Sequence, residues 1–468
     1  MRKPWLALCV LLGAALPAVG PAAAAPKSAR WQIPTAVQKL PNGLTVVVSE
    51  DHSTPTFGLC LAYRVGFRLE PKGRTGFAHL FEHMMFEGTP TAPKGILQRV
   101  VEGGGGVNNG STRFDYTNYV ETAPVSALDA ILWLEADRMK TLDFSEKNLA
   151  NQRDVVKEEI RVNVKNRPYG IFYWTDLCSK AFDKWENNHD GYGSFDDLDK
   201  ATVQDVEAFF NSYYGPNNAV IAIVGDVTPA DVFAKAAKYF GPVAARPTPA
   251  PSDFSEGLNA GERTLQQTDG LAKVPAVAVG WKAPARGGED QVPMAVLSDL
   301  LAGGEASRLY LNLVKGKELL LNMNGGVNWP LGTPWTYDGP TLLTLFGLYK
   351  PTTDAKTVVN AIQAEMDAVA QNGVPDDELT RTKTKMVSDF YSNLELPLSR
   401  ANALCLTQMF TGDAASINEL PSKIEAVTSA DLKRVAGKYL TVANRTVIDR
   451  QPATPAAPAA TAATEPGK

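Results

Sequence analysis

The sequence predicts an α+β chain built from two homologous α/β-sandwich units, each an antiparallel-rich sheet with helices packed on it. Three observations carry this. A Pro/Ala-rich break at residues 244–265 divides the chain into two segments of comparable size. Each segment opens on strand-like sequence and then turns helical, and each later carries an apolar strand run leading into a further helix. The composition, 44% hydrophobic and 21% charged, suits a globular chain and excludes disorder and coiled coil. A net charge of -5 without a basic stripe excludes nucleic acid as the natural partner.

Taken in order, residues 1–25 read as a secretory signal peptide. Arg2 and Lys3 precede an apolar run at residues 5–15, and Ala22-Ala23-Ala24-Ala25 supplies a small-residue cleavage site near Ala24. The run is shorter than the ~20 residues a membrane span needs, so no membrane anchor is expected. Cys9 lies too early to be a lipoprotein cleavage site. The protein is therefore expected to be periplasmic or secreted, with a mature net charge of -7 once Arg2 and Lys3 are removed. Cys60, Cys178 and Cys405 then remain and permit at most one disulfide.

The first domain is expected over residues 30–243. Leu44-Thr-Val-Val-Val48 follows an Asn42-Gly43 turn and reads as a strand, as does Phe57-Gly-Leu-Cys-Leu-Ala-Tyr-Arg-Val65. Ala219-Val-Ile-Ala-Ile-Val224 has the unbroken apolar character of a buried strand, and a helix follows from Pro229 to Phe240. After the linker at 244–265, the second domain at 266–448 opens with the strand Val274-Pro-Ala-Val-Ala-Val-Gly-Trp281. It continues with Pro340-Thr-Leu-Leu-Thr-Leu-Phe-Gly-Leu-Tyr349 and a helix from Asp354. Residues 449–468, mostly Pro, Ala and Thr, are expected to form a disordered tail, because they bury too little apolar surface to offset their ordering entropy.

Chemistry concentrates in Gly76-Phe-Ala-His79-Leu-Phe-Glu82-His83-Met-Met-Phe86, which holds two of the four histidines. At i and i+4 on a helix, His79 and His83 are stacked neighbours able to offer a ring nitrogen to one metal ion. Glu82 is placed to take a proton from water that Zn²⁺ acidifies to a pKa of ~7. The pattern arises by chance on the order of once in a thousand such chains, so a metal site is the better reading than two core histidines. Met84, Met85 and Phe86 read as core packing. Catalytic zinc takes three protein ligands, and the third is sought in the helical stretch Asn151-Gln-Arg-Asp-Val-Val-Lys-Glu158-Glu159-Ile-Arg161. Gln152, Val155, Val156 and Glu159 share one face, which makes Glu159 the inward ligand; Glu158 is left to pair with Arg161 in solvent. His189 reads as a loop residue and His52 as a surface one.

With the inverted His79-x-x-Glu82-His83 motif and a glutamate 76 residues beyond His83, the chain resembles the pitrilysin–insulinase family of zinc metallopeptidases. Further points of resemblance are Leu40-Pro-Asn-Gly-Leu44, the glycines at 103–106, Asn109-Gly-Ser-Thr112-Arg-Phe-Asp115-Tyr-Thr117-Asn-Tyr119, Tyr214-Gly-Pro-Asn-Asn-Ala219, Val224-Gly-Asp226 and Ser307-Arg308-Leu309-Tyr310, so that it spans residues 40–439. It implies a zinc metalloendopeptidase holding one Zn²⁺ per chain. The two units would form one half of a clamshell that closes on an unfolded peptide. It also implies that Asn109 contacts substrate backbone and that peptide adds to a sheet edge near the zinc.

Two departures stand out. At Gln152 the family usually has a glutamate supporting the metal site from behind the ligands; glutamine keeps the hydrogen-bonding oxygen and loses the charge, which should tune zinc affinity or water activation without abolishing either. Long-chain members also carry an Arg and a Tyr seven residues apart that bind the scissile carbonyl, and here Val314 and Leu321 occupy those places, with Lys315 and Lys317 the weaker substitutes. Losing such a donor costs about 10²–10³ in rate. The expectation is therefore an exported peptidase subunit completed by a similar-sized, zinc-free partner in a heterodimer, in preference to a homodimer. A non-catalytic peptide-binding or structural subunit is the alternative. An organelle-targeted processing enzyme is disfavoured, since its presequence would be amphipathic and Arg-rich.

Overall fold

The computed structural model describes residues 30–250 and 252–453. The expected signal peptide and residues 454–468 of the expected tail lie outside the described residues. Residues 30–33 form no helix or strand, and from Pro34 onward the chain packs as one unit.

Eleven strands form two sheets among the described residues. The first contains β1 (Ala36–Lys39), β2 (Thr45–Glu50), β3 (Thr56–Tyr63), β4 (Val107–Thr112), β5 (Thr117–Pro124) and β6 (Ala219–Gly225), in the order β1-β2-β6-β3-β5-β4. The second contains β7 (Arg263–Asp269), β8 (Ala276–Lys282), β9 (Asn324–Val327), β10 (Leu342–Leu348) and β11 (Arg445–Pro452), in the order β7-β11-β8-β10-β9. In the first sheet only β2 and β6 run parallel, and in the second only β7 and β11. Removing β1 makes the two topologies identical, with β2, β3, β4, β5 and β6 matching β7, β8, β9, β10 and β11. The duplication inferred from the rhythm of the sequence is thus present in the connectivity.

The strands and helices expected from the sequence are in place, with the helix Pro229–Phe240 matching to the residue and Asp354 capping the helix Ala355–Asn372 through Thr357 N. Two boundaries move. β7 begins at Arg263, inside the expected linker, and β11 runs to Pro452, inside the expected tail. Both shifts have one cause: Arg263 to Asp269 and Thr446 to Pro452 pair in parallel, and a backbone ladder needs no apolar side chains to announce it. The described residues of the remaining linker are irregular but tied down, with the Arg246 guanidinium donating to the carbonyls of Met139 and Lys140 at 2.9 and 3.0 Å.

The two units exchange helices. Pro397–Thr411, from the second half of the chain, packs on β3 and β6 of the first sheet, while Thr175–Ala181, from the first half, packs on β7, β8 and β11. Alternation along the strands makes room for this. On β3 the large residues Phe57, Leu59, Leu61 and Tyr63 enter the first core, leaving the small Gly58, Cys60 and Ala62 on the opposite face; on β8 Val277, Val279 and Trp281 enter the second core, opposite Ala276, Ala278 and Gly280. Both strands are buried on both faces, which is why they read as continuous apolar runs. Cys60 and Cys405 meet this interface as buried thiols, and Cys178 is likewise free. A buried polar strap adds to it: Arg68 Nε donates to Asp115 at 2.7 Å, and the same carboxylate accepts Asp338 N and Gly339 N at 3.0 and 3.1 Å.

A β-carbon at Gly58 would lie 2.4 Å from the backbone nitrogen of Leu398, so Gly58→Ala forces the exchanged helix off the sheet. Chemical denaturation should show a loss of about 2 kcal/mol or more, whereas Gly257→Ala, with open space around it, should leave the midpoint unchanged.

Candidate metal centre and active site

The His-x-x-Glu-His segment forms the eight-residue helix Phe77–Met84, apolar on the face that enters the core through Phe77, Leu80, Phe81 and Met84. Its first turn is held by Glu70, fully buried, whose two oxygens accept Ala78 N at 2.8 Å and Gly76 N at 3.0 Å. Burial pushes the Glu70 carboxyl up, and the His189 ring 3.1 Å away works against that. His189 itself stacks on Trp185 and places Nδ1 2.7 Å from the Trp185 carbonyl. Burial opposes the imidazolium, but the bond to Glu70 and its charge prevail and raise the His189 pKa. His189 is thus a buried loop residue that anchors the motif helix; His52 is exposed and pairs with Asp226.

His79, His83 and Glu159 meet at one point, and this is the one cluster of three or more potential metal-ligating residues found among the described residues. The two Nε2 atoms are 3.3 Å apart, and Glu159 Oε2 lies 3.4 Å from His83 Nε2 and 3.6 Å from His79 Nε2. Tetrahedral zinc with bonds of 2.0–2.2 Å requires ligand separations of about 3.3–3.6 Å, so the triangle fits that ion. Burial, then the neighbouring His83 charge, lowers the His79 pKa to about 4, which keeps its lone pair available. Glu159 is held below the usual carboxylate range first by its bond to His83. Glu158 points outward and accepts from Arg161 at 2.9 Å, as the helical face requires.

The expected apolar face of the helix Glu146–Ile160 is narrower than its spacing suggested. Leu149, Gln152, Val156 and Ile160 are buried, whereas Val155 is exposed at the rim of the stripe. Immediately past Glu159 the helix widens into a π-helical turn over Arg161–Lys165, a departure that often marks a functional position.

Glu82 stands beside the triangle without joining it. Thr112 Oγ1 donates to its Oε2 at 2.6 Å, leaving Oε1 free of that bond. Burial raises the Glu82 pKa against the opposing effects of Thr112 and His83, which makes it a better proton acceptor than a solvated carboxylate. Gly110 of β4 crosses directly over it: a β-carbon there would sit 3.0 Å from Glu82 Cγ. β4 is an edge of the first sheet, so its outer backbone groups face no strand among the described residues. Asn109, on the same edge, is exposed, with its Oδ1 accepting the Gly110 amide at 2.9 Å.

Gln152 is buried behind His83, its Oε1 3.3 Å from His83 Nδ1, and its Nε2 donates to Glu87 at 2.6 Å. Lys94 pairs with Glu87 at 2.5 Å. Sequence reasoning missed Glu87 and Lys94. The signal was an acidic residue four places beyond His83, just past the apolar end of the motif helix. Met84 and Met85 are core residues, with Phe86 packed against the same core. In the second unit, the helix Gln291–Ala302 follows β8 as the motif helix follows β3. A cavity of about 710 Å³ lies beside it and the edge strand β9, lined there by Ala295, Ser298 and Asp299, and this helix carries no histidine.

Comparison with known proteins bears on the family. Residues 45–172 match the family profile described as insulinase (peptidase family M16), and residues 200–386 match the one described as peptidase M16 inactive domain. The zinc protease PqqE of Helicobacter pylori is 31% identical over 420 residues, covering 88% of this chain and 92% of that relative. A crystal structure of a protease from Helicobacter pylori superposes with a TM-score of 0.83 at 28% identity, over 90% of this chain and all of the other. The periplasmic protease PqqL of Escherichia coli shares the fold at a TM-score of 0.71 and 17% identity, and there 90% of this chain covers 48% of the longer one. A relative alike over nearly its whole length, carrying the name of a zinc protease, and a metal-sized ligand triangle on an inverted motif lead to the same place: the chain belongs to the insulinase family of peptidases, M16.

Proposed function

We propose that the chain is the zinc-bearing catalytic subunit of an exported endopeptidase that cleaves unfolded peptides, with one Zn²⁺ held by His79, His83 and Glu159. The observation that carries this reading is the placement of Glu82. Its desolvated carboxylate lies against three convergent ligands yet belongs to none of the ligand pairs, as a general base must. When bound, zinc supplies a Lewis acid that polarises the scissile carbonyl and acidifies water. Glu82 takes the proton of the attacking water at Oε1 and returns it to the leaving amine, while Thr112 fixes the other oxygen. An extended peptide adds to the free edge of β4 through backbone hydrogen bonds, and Asn109 on that edge contacts it; such binding selects for unfoldedness over sequence.

The oxyanion donors come from elsewhere in this reading. Val314 and Leu321 offer no side-chain donor, Lys317 is engaged with Glu365, and Lys315 lies over the Tyr310 ring. A similar-sized, zinc-free partner would supply them, and the match to about half of a longer protease supports a chain that works as one side of a closed chamber. The apolar N-terminal segment with its alanine cleavage site supports export to the periplasm or beyond. The missing donors also favour a second reading, a non-catalytic peptide-binding or structural subunit. Against it, a structural zinc site closes with a fourth protein ligand, and the cluster here stops at three among the described residues.

In the enzyme purified with its partner from the native source, Glu82→Gln should lower hydrolysis of a fluorogenic unstructured peptide by roughly 10²–10⁴ while metal analysis still finds zinc. Chelation should abolish hydrolysis and one equivalent of zinc per chain restore it; a requirement for two would refute the single site. The chain purified alone should bind zinc but turn over poorly, and rapid hydrolysis by it would remove the need for a partner.

A further inference from the structure

The buried pair behind His83 goes beyond the ligands themselves. Glu87 is 4% exposed, and its Oε1 receives both Gln152 Nε2 at 2.6 Å and Lys94 Nζ at 2.5 Å. A carboxylate paired with an ammonium offers only acceptors, so the Gln152 amide must turn its NH₂ toward Glu87 and its oxygen toward His83. That oxygen lies 3.3 Å from His83 Nδ1 and can only accept. Gln152 therefore draws the proton of a neutral His83 ring toward Nδ1, in competition with the Glu159 carboxylate 3.4 Å from Nε2; a metal held by Glu159 removes that competition and takes the Nε2 lone pair. His79 has no such support, its Nδ1 being buried without a hydrogen-bond partner.

Resting on the metal-site reading above, we infer that Glu87 is a positioning residue for the metal centre: acting through Gln152, it selects the His83 tautomer that can bind a metal. Where the family resemblance implies a carboxylate directly behind the ligands, this chain places an uncharged amide, and the negative charge sits one residue farther out, balanced by Lys94. The metal site thus keeps an oriented acceptor without a third bare carboxylate beside Glu82 and Glu159.

The test uses the full chain stripped of metal, labelled with ¹⁵N, at about pH 9, above the ordinary histidine range. Only four histidines contribute to the long-range ¹H–¹⁵N spectrum. The spectra are taken with Glu159→Ala as the common background, so that no carboxylate competes at Nε2, and zinc binding is measured with Glu159 intact; on that background His83 should appear as the Nδ1–H tautomer. Glu87→Gln should give a mixture of tautomers and weaken zinc binding, read by chelator competition, by roughly tenfold. Adding Gln152→Glu to that variant should restore both, because a carboxylate then accepts from Nδ1 directly. An unchanged tautomer and unchanged affinity in Glu87→Gln would overturn the inference. Failure of the double variant to recover them would do the same by assigning Glu87 a packing role. If Glu87→Gln does not fold, the double variant decides alone through its Nδ1–H signal. Because the tautomer is read without zinc, a chain that binds no zinc would refute the metal reading while leaving this readout intact.

Discussion

Everything at the candidate metal centre depends on where eight residues point. The helix Phe77–Met84 carries two of the three proposed ligands and the general-base candidate, and so short a helix has little orientation of its own. The interaction that fixes it is the capture of Gly76 N and Ala78 N by the buried Glu70 carboxyl group, completed by the His189 ring. A negative group at a helix N-terminus is favourable on electrostatic grounds. Here it also satisfies two amides that burial would otherwise strand, so the direction of the motif helix is set by a buried Glu–His pair with no part in the chemistry. From the opposite side, Thr112 and Gly110 of the edge strand define where Glu82 ends, and the helix Glu146–Ile160 brings Glu159 and Gln152 to the rings.

Much of this was legible in the residues. The inverted motif placed His79, His83 and Glu82, and helical phase chose Glu159 over its neighbour, because both follow from local periodicity. Strand runs such as Ala219 to Val224 were visible because burial on two faces leaves an unbroken apolar stretch. What escaped has the opposite character. The extension of β11 to Pro452 depends on a parallel partner nearly two hundred residues away, Glu87 meets Gln152 across 65 positions, and Val155 lies on the right helix but just past the edge of the buried stripe. Long-range hydrogen bonds leave no period in a sequence. The role of His189 was hidden for the same reason, since its partner Glu70 is 119 residues distant.

The two units illustrate how a duplicated scaffold divides labour. Connectivity is retained strand for strand, and the helix after the second strand of each repeat occupies the same place. In one unit that helix presents histidines to an edge strand; in the other, Ala295, Ser298 and Asp299 line an open cavity beside the equivalent edge. Fold and chemistry are thereby separable, the first carried by topology and the second by a handful of side chains on one helix.

The exchanged helices carry a further consequence for how such a chain can be cut and inherited. Each sheet relies on a helix encoded in the other half of the gene: Pro397–Thr411 covers β3 and β6, and Thr175–Ala181 covers β8 and β11. Splitting the chain at the apparent linker would therefore uncover one apolar sheet face on each fragment. The halves, although repeats of one another, have become obligate companions, so that folding, proteolytic fragmentation and domain shuffling all act on the pair as a single heritable module.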